Sequence, residues 1–172
     1  LVTNPPFGAK IPVRGEEKLS QYDLGHHWKQ NKKTQTWEKG KLKPKEAPQI
    51  LFIDRCMQLL KDGGRMAIVL PDGIYGNTQL GYIREWLLKR ARIIAIIDVP
   101  VETFMPNTPT KTTIMVLQKL PGHLIPENYP IFMAIAETCG HDRRGNLIEV
   151  DDVSEISSMY HKWAEENEFR FI

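Results

Sequence analysis

Cysteine is scarce in this 172-residue chain, which holds only Cys56 and Cys139. They form no C-x-x-C pair and no set with histidines at ligand spacing, so neither a disulfide framework nor redox or metal chemistry is indicated. His26 and His27 are adjacent, His123, His141 and His161 stand alone, and no metal is expected. No apolar run approaches the roughly 20 residues that span a bilayer. The amino end has neither the basic region nor the apolar stretch of a secretory signal. A cytoplasmic setting without membrane contact is therefore expected. Internal repeats, low-complexity tracts and any G-x-G are also absent. Net charge is small, +2, yet it averages over a strong asymmetry: residues 28–45 carry seven lysines against Glu38 alone, a net +6, which leaves −4 for the rest.

The remaining composition, 41% hydrophobic and 26% charged, is that of a globular protein with one core. Residues 1–3 read as the end of a strand. Residues 10–45, with Gly15, Gly25, Gly40, Pro12 and Pro44 and no sustained period, read as a basic loop or insertion. Loops of this length are functional or disordered, and this one suits ordering on nucleic acid. A helix follows: Pro48 fits its first turn, Ile50, Ile53, Met57 and Leu60 share one face, and Gly63-Gly64 closes it. The continuous apolar run at 65–70 reads as a strand buried on both faces. Pro71-Asp72-Gly73 turns the chain, and Asn77 or Thr78 caps a helix reaching Arg90, with Leu80, Ile83, Leu87 and Leu88 inward. Strands are predicted at 93–99, 112–119 and 131–137, a loop at 140–146, and an amphipathic docking helix at 153–166 through Val153, Ile156, Tyr160 and Trp163. Alternating strands and helices imply an open α/β sheet.

The chemistry concentrates in Thr3-Asn4-Pro5-Pro6-Phe7-Gly8. An exocyclic amine on a purine is a poor nucleophile because its lone pair is delocalised into the ring. Two acceptors on its N–H groups stabilise the positive charge that develops as it attacks a methylsulfonium. Asn4 Oδ1 is suited to be one. Proline aims a backbone carbonyl as the other: Pro5 and Pro6 fix φ near −65°, and Pro6 forces Pro5 into an extended conformation. Phe7 offers a face to an unstacked base, worth about 1–3 kcal/mol against the few kcal/mol that extrusion costs. Gly8 lets the backbone turn closely beneath. The plain alternative is an Asn-Pro turn with no function.

This turn resembles motif IV, Asn-Pro-Pro-Phe, of the N6-adenine DNA methyltransferases. Residues 46–64, EAPQILFIDRCMQLLKDGG, and the following RMAIVLPDGIY resemble the helix and strand after motif IV in the modification subunits of type I restriction systems. IIAIIDVPVETFMP and TPTKTTIMVLQK resemble the last two strands of that catalytic domain. The resemblance covers residues 1–145, leaving 146–172 as a C-terminal extension with the docking helix. It implies α/β architecture: the second half of a Rossmann-like class I methyltransferase sheet, mixed, with one strand inserted antiparallel. It implies S-adenosylmethionine as cofactor, with Asn4 facing it, and Asn4, Pro5, Pro6 and Phe7 as catalytic residues. That family carries a Gly-rich turn and an acidic residue upstream of motif IV. Here only Leu1 and Val2 precede Thr3, so most of the cofactor site is expected to be missing and the chain alone inactive. A first strand without its partner invites self-association through its edge.

Lys29, Lys32, Lys33, Lys39, Lys41 and Lys43, interleaved with Trp28 and Trp37, are candidates for DNA contact, as is Lys111; a solvated insertion is the plain reading of the first six. Asp72 either orients substrate or shapes the turn, and Tyr75 is a candidate wall of the base pocket. Thr108 to Thr113, with Lys111, resembles the family's segment that closes over the target base. Arg143 and Arg144 extend the basic face or decorate a hairpin tip. Expected partners are DNA and the specificity and restriction subunits of a type I complex. The alternatives are methylation of a protein glutamine or of RNA, and a non-catalytic module for DNA binding or assembly.

Overall fold

The computed structural model describes residues 1–8 and 11–169. In chain order the elements are β1 (Val2–Thr3), β2 (Val13–Arg14), α1 (Glu16–Leu19), β3 (His26–Gln30), β4 (Trp37–Leu42), β5 (Lys45–Glu46) and α2 (Pro48–Leu59). Then come β6 (Arg65–Pro71), α3 (Gly73–Gly76), α4 (Gly81–Leu88), β7 (Ala91–Val99), β8 (Thr112–Lys119), β9 (Phe132–Ile135), β10 (Cys139–His141), β11 (Leu147–Asp151) and α5 (Asp152–Glu166).

Five strands form the main sheet in the order β1-β6-β8-β7-β9. β1 pairs parallel with β6 and β7 with β9, while β8 runs antiparallel to both β6 and β7. β1, β6, β7 and β9 therefore point the same way, and β8 is the inserted antiparallel strand. On one face, Met66, Ile68 and Leu70 of β6 and Met115 and Leu117 of β8 pack against Ile50, Ile53 and Met57 of α2 and Ile83, Trp86 and Leu87 of α4. Each fully buried aliphatic contributes about 1.5–3 kcal/mol. On the other face, Ile94, Ala95 and Phe132 pack against Ile156, Tyr160 and Ala164 of α5, whose first turn is capped by Asp151 accepting from Val153 N at 3.0 Å.

β6 departs from the expectation of burial on both faces. Its burial alternates, with Arg65, Ala67 and Val69 only half covered, because α5 lies over β7 and β9 rather than over β6. The helix expected from Asn77 also begins differently. Asn77 caps a short 3-10 turn, its Oδ1 accepting from Gln79 N at 2.8 Å, before α4 starts at Gly81. A β-carbon there would meet the Trp37 ring at 3.2 Å, so any larger residue would require the indole to give by a few tenths of an ångström.

The larger correction concerns residues 10–45. The described part, from Ile11, is not a structureless loop awaiting nucleic acid: β3 and β4 pair antiparallel, and β2 pairs with β5. Trp28 and Trp37 pack against the core. Trp28 stacks on Tyr82 with ring centroids 5.9 Å apart and planes at 13°, and Trp37 meets the same ring edge-on. Burial of this aromatic cluster against α4 holds the hairpin in place.

Asp23 ties the hairpin's base to the core. It accepts from Lys39 Nζ at 2.6 Å, Trp86 Nε1 at 3.1 Å and Arg90 at 3.2 Å. Burial opposes its charge, but the hydrogen bonds from Lys39 and Trp86 and the nearby cations overrule burial and hold its pKa below 3.8. A lowered folded value means the stabilisation is present above the unfolded pKa and is lost as pH falls through the folded one. The Trp86 indole N–H resonance is therefore expected to titrate with a midpoint below that of an ordinary aspartate. Loss of the native shift nearer neutrality would show that Asp23 is not the tie.

No helix among the described residues is long and apolar enough to cross a membrane. No group of three or more His, Cys, Asp or Glu able to hold a metal occurs among them.

Candidate active site at the carboxyl edge of the sheet

Because β1, β6 and β7 share one direction and β8 opposes them, the ends at Thr3, Pro71 and Val99 and the start at Thr112 converge on one edge. Open α/β sheets place ligands outside this edge. Asn4 to Phe7, Asp72, Tyr75 and Thr108 to Thr113 all follow or precede these strand ends directly.

β1 ends at Thr3, in register with Ile68, and the Asn-Pro-Pro-Phe turn leaves directly from it. Pro5 is fully buried and anchors the turn, while Asn4 and Pro6 are exposed and Phe7 is half-buried. Gly8 adopts φ 130°, a conformation open to glycine and strained for other residues, and its N–H donates to Gln49 Oε1 at 3.4 Å. Buried Pro5 thus fixes the backbone while Asn4 presents its carboxamide to solvent. Phe7 meets Phe104 edge-on, with centroids 6.2 Å apart and planes at 89°. Phe104 follows β7 and is a residue that reading the sequence missed. Its signal lay in the family-like IIAIIDVPVETFMP, where it is the lone aromatic.

Asp72 acts as a brace. Its Oδ1 accepts from Thr113 Oγ1 at 2.9 Å, its N–H donates to the Lys111 carbonyl at 3.2 Å, and its own carbonyl accepts from Tyr75 and Gly76. Turn-shaping accounts for all these contacts. Lys111 Nζ pairs with Asp98 Oδ2 at 2.8 Å, and Thr108 and Thr110 share a hydroxyl hydrogen bond of 2.9 Å. Arg143 donates to Glu102 Oε1 at 2.8 Å, which holds the Glu102 carboxyl below its usual range. Arg143 so fastens the β10–β11 tip to the segment bearing Phe104, while the Arg144 side chain is exposed.

The hairpin lysines divide into two sets. Lys29, Lys32, Lys33 and Lys41 are exposed. Lys39 is bound to Asp23, and Lys43 is bound to Glu46 and donates to Tyr82 Oη at 3.0 Å. Burial would lower the Lys43 pKa, but Glu46 and Tyr82 reverse that and hold it above its ordinary value. Of Trp28 and Trp37, considered as stacking platforms for bases, Trp28 has a face stacked on Tyr82 and Trp37 meets that ring edge-on. Asp54 was also missed: it is buried in α2 and accepts from Leu24 N at 3.0 Å and Gln58 Nε2 at 3.0 Å.

The N-6 DNA methylase family model matches residues 1–172 throughout. The chain belongs to this family. It is 31% identical over 120 residues to the methylase subunit of the type I restriction enzyme EcoEI of Escherichia coli, a match covering 69% of this chain and 20% of that protein. Among solved structures, it resembles a candidate class I S-adenosylmethionine-dependent methyltransferase from Listeria monocytogenes with TM-score 0.63, at 18% identity over 94% of this chain and 41% of the other. A chain from a study of complex assembly and conformational transition in a type I restriction–modification system gives TM-score 0.61 at 21% identity, over 96% and 30%. A modification subunit of a candidate type I restriction enzyme from Vibrio vulnificus gives 0.55 at 19%, over 99% and 31%. These likenesses establish the Rossmann-like α/β fold of class I methyltransferases. The chain spans about a fifth of the length of the curated relative it matches.

Proposed function

We propose that the intact protein is a DNA adenine N6-methyltransferase, the modification subunit of a type I restriction–modification system, and that these residues form the base-holding part of its catalytic domain. The observation that carries this is Asn4, exposed on a turn anchored by buried Pro5, beside the Phe7–Phe104 pair at the sheet's carboxyl edge. In this reading the target adenine leaves the duplex and stacks on Phe7. Asn4 Oδ1 and the Pro5 carbonyl accept from its N6 amine and stabilise the charge that develops there. S-adenosylmethionine supplies the methyl group when bound. Asn4 is this chain's candidate to face it, and the 172 residues contain no Gly-rich G-x-G turn to hold the rest. A specificity subunit reads the sequence, a restriction subunit completes the complex, and the action is cytoplasmic. The unpaired edge of β1, where Val2 is 88% exposed, is the surface for self-association of this chain, which sizing in solution measures.

The test is product identity. The intact protein, given methyl-labelled S-adenosylmethionine and DNA, RNA or glutamine-bearing peptide, is expected to place label in N6-methyladenine of DNA. Label in peptide or RNA would favour the other methyltransferase classes, and none at all the non-catalytic module.

DNA contact by the hairpin has its own signature. Log affinity falls with log salt at a slope of about −0.9 per phosphate neutralised. Replacing Lys32 and Lys33 by Ala is expected to flatten that slope by about 0.9 for each phosphate that is no longer neutralised. Lys43→Ala should lower stability and leave the slope unchanged. An unaltered slope in the tip variant would remove the hairpin from the DNA interface.

A further inference from the structure

Across β6 from the strand that bears the Asn4–Phe7 turn, and not lined by that turn, a cavity of about 630 Å³ is walled by Tyr75, Ile96, Asp98, Thr113, Met133 and Ile135. Its volume lies within the range of small-molecule sites. Strand register builds the floor: Asp98 sits opposite Thr113 of β8 and Ile135 of β9, and Ile96 sits opposite Met133. Met133 and Ile135 are 71% and 72% exposed, an apolar shelf next to a polar end.

That polar end is unfinished. Asp98 Oδ2 takes Lys111, but Oδ1 is buried without a partner among the described residues, and so is the Tyr75 hydroxyl. Thr113 is already committed to Asp72. Burial, then the negative charge of Asp72, raises the Tyr75 pKa, so the phenol keeps its proton and offers it. One buried acceptor needs a donor and one buried donor needs an acceptor. Leaving either unmet is costly.

We propose that this cavity is a second base pocket, which takes an unpaired nucleobase with its N–H on Asp98 Oδ1, its adjacent acceptor on the Tyr75 hydroxyl, and its flat body on Ile96, Met133 and Ile135. A nucleobase fits because its hydrogen-bonding edge sets a donor beside an acceptor on a flat, largely apolar body. Extrusion of a target base leaves its partner base unpaired, so the occupant rests on the proposed function, whereas the complementarity of the pocket does not.

The experiment is methyl NMR of the chain titrated with deoxyadenosine or thymidine, with deoxyribose 5-phosphate and indole as controls. Saturable shifts of the Met133 and Ile135 methyls are expected with the two nucleosides and not with the controls. Tyr75→Phe should weaken them about tenfold, the loss of one hydrogen bond of about 1.4 kcal/mol. Ile135→Trp fills the cavity from an exposed position and should abolish them. Asn4→Ala should leave them intact, which separates this pocket from the turn. Absence of shifts with any nucleoside, equal shifts with indole, or indifference to Tyr75→Phe would overturn the proposal. DNA methylation by the intact protein would stand in each of those cases.

Discussion

Asn4→Ala in the intact protein is expected to cut DNA methylation by about 10²–10³-fold, the cost of removing one preorganised group aimed at developing charge. DNA affinity should largely survive, because Asn4 is a single neutral side chain and phosphate contacts dominate binding. The amine becomes more positive on the way to the transition state, so an acceptor on its N–H contributes more there than in the ground state. Loss of kcat with little change in KM is the expected pattern. Asn4→Asp keeps an acceptor and should retain more activity than Asn4→Ala. Equal loss of DNA binding and methylation would instead make Asn4 a structural residue. Its exposure, against the full burial of Pro5 next to it, argues that its side chain does little for the fold.

The second large effect belongs to Tyr82. Its ring is 5% exposed and is shared by Trp28, Trp37 and Lys43. Tyr82→Ala is expected to cost about 3–5 kcal/mol in urea unfolding, as for other large buried aromatics. It should also raise amide exchange across β3 and β4 more than across β6, because the hairpin loses its seat and the sheet does not. Tyr82→Phe isolates the hydrogen bond with Lys43 and should cost about 1 kcal/mol. Destabilisation spread evenly over both sheets would mean that the hairpin is held by something other than this ring.

The helix at 48–59 and the strands at 65–71, 91–99 and 112–119 were legible because each pairs an uninterrupted apolar pattern with a clear boundary, such as Pro48 or Pro71-Asp72-Gly73. The antiparallel course of β8 came from family resemblance, since hydrophobic period carries no strand direction. The hairpin at 26–42 escaped notice for a physical reason. Its core contacts come from Trp28 and Trp37, set among lysines and broken by a register shift, so its alternation is masked by charge. Asp54 and Phe104 escaped because their roles depend on contacts with Leu24 and Phe7, distant in sequence. The turn at Asn4 was legible because its chemistry is local, set by two prolines and an aromatic in sequence.

Photocrosslinking speaks most directly to the claim that this turn receives an extruded base. DNA carrying 5-iodouracil in place of the methylated adenine, once that position is mapped, is irradiated with the intact protein and the adduct is located by mass spectrometry. The expected adduct lies on Phe7 or Phe104. An adduct on Trp28 or Trp37 of the hairpin, with none at the carboxyl edge, would contradict the claim.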